Sequence, residues 1–144
     1  MKPMIPASIV LLSSLLLGGC YKPGMPTLVA SPVANTVASN DGQYSFYWVP
    51  KPNPVPLNRF FAIDVQVLDM AGNPVTPEMA SLTVDAGMPQ HGHGMNHVPR
   101  IKSQPNGTWL AEGMLMHMPG DWQLYFDLEV DGVSHRGQTP LVVD

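Results

Sequence analysis

The chain has 144 residues, of which 44% are hydrophobic, with a formal net charge of −4 and a single cysteine. That length leaves room for one small domain with a packed core. A mild negative charge without a basic patch excludes the electrostatic footprint of a nucleic-acid binder, and one cysteine excludes a disulfide framework.

The first segment, MKPMIPASIVLLSSLLLGGC, sets one cation, Lys2, ahead of an uncharged and mostly apolar run. The run ends Leu17-Gly18-Gly19-Cys20, which resembles a bacterial lipoprotein signal: an aliphatic residue, two small residues, then cysteine. Small side chains let a peptidase approach the backbone, and the thiol receives diacylglycerol. Residues 1–19 are therefore expected to be a lipoprotein signal peptide and Cys20 the lipid attachment site. Two or three acyl chains would hold the protein on a membrane. The rival reading, an uncleaved anchor helix, also leaves the rest of the chain outside the cytoplasm. Tyr21 follows the cysteine, where an Asp in resembling lipoproteins often signals inner-membrane retention. The expected address is the cell envelope, on the periplasmic face, with the outer membrane favoured over the inner.

Residues 20–40 are rich in Pro, Ser, Ala and Asn and show no sustained period. They read as a flexible tether spanning on the order of 25 Å. Residues 41–144 form the expected domain, and period two dominates them. Tyr44, Phe46 and Trp48 alternate with polar neighbours, as do Phe61, Ile63, Val65 and Val67, then Leu82, Val84 and Ala86. The clearest case is Trp122, Leu124, Phe126, Leu128 and Val130, set against Gln123, Asp127 and Glu129. This is the pattern of half-buried strands. Breakers separate the runs, and Asp131-Gly132 between Val130 and Val133 is a hairpin signal. The expected strands are 43–49, 59–68, 80–86, 100–104, 108–116, 121–130 and 133–143. No helical period of useful length appears. The predicted fold is all-β, an immunoglobulin-like β-sandwich of about seven strands.

The stretch Gly87 to Pro99, GMPQHGHGMNHVP, joins the third and fourth of these strands, and His117-Met118-Pro119-Gly120 joins the fifth and sixth. In a sandwich whose strands run alternately up and down, these connections share one end. Met88, His91, His93, Met95, His97, His117 and Met118 are therefore candidate metal ligands. Imidazole suits Cu, Zn and Ni, whereas thioether selects Cu(I). Copper is the expected ion, with Cu(I) favoured and zinc or nickel as alternatives. Gly92 and Gly94 let the backbone bend so that neighbouring imidazoles can turn to one centre. The competing reading is a solvated loop beside methionines that fill an irregular core. Met114 reads as a core residue, Met70 and Met79 as packing or turn residues at the opposite end, and His135 as a surface residue without a role.

Asp85-Ala-Gly-Met-Pro-Gln-His-Gly-His-Gly-Met95, followed by Met116-His-Met-Pro-Gly-Asp-Trp122, resembles the YtkA-like domain family, to which FixH-like proteins are similar. The resemblance spans about residues 60–143. It implies an exported or membrane-anchored β-sandwich concerned with copper, with Met88, His91, His93, Met95, Met118 and Trp122 at the motif positions. His97 and His117 lie outside the secure part of the motif.

The leading expectation is an extracytoplasmic, lipid-anchored copper-binding protein that buffers copper, confers resistance or delivers the ion. Its partners would be the membrane, through the lipid anchor, the copper ion, and a cuproenzyme or copper transporter. The alternative is a non-catalytic adhesion or assembly module on the envelope with an incidental His/Met loop. An enzyme is not expected. A blue-copper centre needs a cysteine that the domain lacks, and no Ser/His/Asp order, P-loop or HExxH appears.

Overall fold

A computed structural model describes residues 34–144. The signal peptide, Cys20 and most of the expected tether lie outside the described residues. The strands in chain order are β1 (Asn35–Ala38), β2 (Tyr44–Lys51), β3 (Phe61–Asp69), β4 (Pro74–Val75) and β5 (Ser81–Met88), then β6 (His93–Gly94), β7 (Arg100–Ser103), β8 (Trp109–Met114), β9 (Gly120–Val130) and β10 (Val133–Val143). One 3₁₀ turn, Pro89–His91, lies between β5 and β6. Among the described residues no helix is long and apolar enough to cross a membrane.

Two sheets form. One runs β1-β2-β3-β8-β7 with β4 added beside β3, and the other runs β10-β9-β5-β6. All the named strand pairs are antiparallel. The order β2-β3-β8-β7 against β5-β9-β10 is that of the two sheets of an immunoglobulin constant-type sandwich. All seven expected strands are present within a few residues of their predicted bounds. β1 is a correction, because it pairs with β2 from within the stretch read as tether, so the ordered domain starts before Asp41. A short strand with one half-buried residue carries too little alternation to stand out.

Alternation builds the core. Phe46, Ile63, Val65, Val67 and Ala111 on one sheet, and Val84, Leu124, Phe126 and Leu128 on the other, are almost wholly withdrawn from solvent. The rings of Phe46 and Phe126 stack across the two sheets with centroids 5.5 Å apart. The hairpin at Asp131-Gly132 takes positive φ at both central residues, 51° and 78°, as a two-residue turn of the predicted kind requires.

One departure from period two sets the geometry of everything above it. Ala62 faces Glu112, yet Phe61 faces Met114, so Gly113 is an extra residue in β8. Its φ of +84° is one that favours glycine, and the result is a β-bulge. Before the bulge Trp109 and Ala111 are buried, and after it Met114 and Met116 are. Unbroken alternation from Trp109 would instead have carried Leu115 and His117 inward.

His135, expected to be a bystander, has a structural role at the end away from the His/Met loops. Its Nδ1 lies 2.6 Å from Asp41 Oδ2, and its ring meets Tyr44 edge-on at 4.6 Å. An ionised carboxylate can only accept, so Nδ1 is the donor. Asp41 also accepts from the buried Ser39 hydroxyl at 2.6 Å. That hydroxyl first, and His135 second, hold the Asp41 pKa down at about 2. The latch ties the β1–β2 turn to β10, where Ser39 also bridges Gly137.

Candidate functional site

At the other end of the sandwich the β5–β7 and β8–β9 connections meet. The first reverses sharply. Pro89–His91 turn in a 3₁₀ conformation, Gly92 takes φ 68° and ψ 24°, and its N–H donates to the Met88 carbonyl at 3.0 Å. Glycine takes that left-handed conformation at the least cost, which explains the glycine between the two histidines. The chain then returns as β6, with His93 opposite Met88. The second connection leaves β8 past its bulge and enters β9 at Gly120.

The imidazoles converge on Trp122. His93 and His117, from different connections, have ring centroids 5.4 Å apart, and His91 lies 5.8 Å from His93. The buried Trp122 indole meets His117 at 5.4 Å and His93 at 6.2 Å, both nearly edge-to-face. Its Nε1–H donates to the Met118 carbonyl at 2.9 Å, which pins the turn, while the Met118 side chain stays 37% exposed. Trp122 therefore forms the wall of the site. The alternating pattern of β9 marks it as core, and nothing in that pattern shows that two histidines would lie against it.

His117 Nδ1 is buried and has no hydrogen-bond partner among the described residues. A buried polar atom left unpaired costs about 1–3 kcal/mol, so this nitrogen is a place where a ligand would be favoured. Two imidazoles on one ion, with metal–nitrogen bonds of about 2.0–2.1 Å, have ring centroids roughly 5–6 Å apart. The His91–His93 and His93–His117 spacings fall in that range. Among the described residues no group of three or more His, Cys, Asp or Glu is already arranged to hold a metal ion. What joint ligation needs beyond these spacings is that the ring nitrogens turn toward one point, a matter of side-chain rotamers.

The expected ligand set divides. His91, His93, His117 and Met118 share this end, with His91 and Met118 open to solvent. Met88 is buried, 1% exposed, beneath Gly120, and packs in the core. Met95 is half-buried against the core, and its Sδ accepts the Leu115 N–H at 3.4 Å, tying the two connections together. His97 has other neighbours. Its ring packs against Phe60, 5.0 Å away, and its Nε2 lies 3.0 Å from where a Cβ on residue 113 would stand. The bulge glycine makes that seat, and no pattern local to residues 87–99 signals it.

Among solved structures the chain is similar to a DUF4426 family protein from Pseudomonas aeruginosa PAO1. The TM-score is 0.50 and the identity 16%, with 76% of this chain and 99% of that chain covered. At that identity the likeness speaks for the fold alone. No family model matches the sequence, and no curated protein matches it.

Proposed function

We propose that the protein is an extracytoplasmic, lipid-anchored copper-binding protein that takes its ion where the two His/Met connections meet. His93 and His117 are the central ligands, His91 and Met118 complete the set, and Cu(I) is favoured. Zinc and nickel compete for the imidazoles alone. The observation that carries this reading is the buried Nδ1 of His117, unpartnered among the described residues, beside the ring of His93. A borderline nitrogen donor without a partner, next to a second imidazole and an exposed thioether, fits a borderline or soft ion. The resemblance of the two motifs to YtkA-like domains points the same way. The role is that of a buffer, a resistance factor or a carrier that passes copper to a cuproenzyme or transporter, with Cys20 as the lipid attachment point.

Titration of the full-length protein against a chromogenic Cu(I) competitor tests the site. Wild type is expected to hold copper more tightly than His93→Ala or His117→Ala. Equal affinities in all three would sink the reading and favour an envelope adhesion or assembly module. Cys20→Ser tests the anchor separately, since incorporation of labelled palmitate into that variant would contradict attachment at Cys20.

A further inference from the structure

The end of the sandwich that bears the histidines also carries an apolar surface that metal binding does not explain. Phe60 is 63% exposed and Val98 87% exposed. They line one open groove of about 520 Å³ with His97, Pro99, Arg100, Glu112 and Gly113. Arg59, next to Phe60, and Arg100 are both exposed, and neither forms an ion pair among the described residues. The one carboxylate in the groove, Glu112, is held by Lys102 at 2.6 Å. Asp121 and Asp144, also toward this end, belong to the other sheet and its terminus.

Apolar exposure alone does not distinguish the two ends, because Met70, Met79 and Val133 stand out at the far one. Charge does. The far end gathers Asp41, Asp69, Glu78 and Asp131. Hydrogen bonds hold the first three of these below the ordinary carboxylate range. An aromatic and an aliphatic side chain flanked by two free guanidinium groups suit a surface that is apolar beneath and anionic above. Chain direction agrees. β1 runs with Asn35 opposite Trp48 and Ala38 opposite Ser45, so the polypeptide reaches its sheet from the groove side.

We propose that this groove docks on the surface of an anionic phospholipid bilayer, with Phe60 and Val98 entering the headgroup layer and Arg59 and Arg100 meeting the phosphates. The histidine end of the sandwich then faces the membrane. The docking does not depend on copper binding, because the groove residues and the central ligands are different.

The test uses the full-length chain with Cys20→Ser, so that an introduced cysteine is the only thiol. A fluorophore is placed at Val98→Cys or, separately, at Met70→Cys, and the protein is mixed with vesicles containing brominated lipid. With phosphatidylglycerol present, the label at 98 is expected to be quenched at least twofold more than the label at 70. Pure phosphatidylcholine, or Arg59→Glu with Arg100→Glu, is expected to remove that difference. Arg59, Met70, Val98 and Arg100 are all exposed, and an unchanged near-ultraviolet circular dichroism spectrum confirms the fold. Equal quenching at both positions, or quenching at 98 that survives charge reversal, overturns the proposal. A label at 98 that lipid never quenches also overturns it and leaves a protein partner as the occupant.

Discussion

The imidazoles of His93 and His117 stand 5.4 Å apart although they belong to connections from different sheets. His93 sits on β6, folded back against β5, while His117 follows the bulged end of β8. The pair exists only when the two sheets are packed, so any ligand held by both is linked to folding.

Substitution of either central imidazole should therefore weaken copper binding. His93→Ala and His117→Ala are each expected to lose roughly tenfold or more in Cu(I) affinity, at least what loss of a supporting residue costs a metal site. His97→Ala and His135→Ala should keep wild-type affinity, since one packs on Phe60 and the other holds Asp41. Competition titration separates these outcomes.

Copper should also stabilise the fold. At a free concentration of about one hundred times Kd, the expected gain is about 2.7 kcal/mol. It would appear as a rise in denaturant midpoint for wild type and vanish in the His93→Ala, His117→Ala double variant. An equal rise in that variant would place the ion elsewhere.

Trp122 supports both core and site. Trp122→Ala is expected to cost about 3–5 kcal/mol, the usual range for a buried aromatic. It also removes the hydrogen bond that fixes the Met118 carbonyl. Chemical denaturation gives the first effect directly. An unchanged midpoint would contradict the burial of the indole.

Gly137 admits no side chain. A Cβ there would lie 2.7 Å from the Phe46 ring, which is itself stacked on Phe126. Gly137→Ala should destabilise by about 1–3 kcal/mol through overpacking. The denaturant midpoint is the measurement, and wild-type stability would mean that the ring moves aside freely.

The Asp41 latch predicts a defined acid sensitivity. Its pKa falls from 3.8 to about 2 in the fold. A depressed carboxylate pKa contributes stability that is full above the unfolded value and is lost as pH falls through the folded one. Asp41→Asn should therefore be less stable than wild type near neutrality and lose less on acidification between about pH 4 and pH 2. Parallel acid titrations of the two proteins, followed by circular dichroism, would show it. Curves with the same steepness through that window would remove Asp41 as a contributor.

Local chemistry made much of this legible in the sequence. Alternation from Trp122 to Val130 marks β9, and Asp131-Gly132 marks its hairpin, because strand pleat and turn φ depend on neighbouring residues. Counting strands up and down also brought the two His/Met connections to one end. β6 is two residues long and owes its existence to pairing with β5, so no period could signal it.

Strand alternation, turn chemistry and the supply of imidazole and thioether donors at one end were thus determined by the sequence alone, because each follows from side-chain period or residue type within a short window. The tertiary structure decided which donors meet. One inserted residue at Gly113, defined only by its pairing against Phe61 and Ala62, buries Met114 and Met116, keeps His117 out of the core and opens the seat that His97 takes. Parity after a bulge is a property of two strands together, and the sequence of one strand does not contain it.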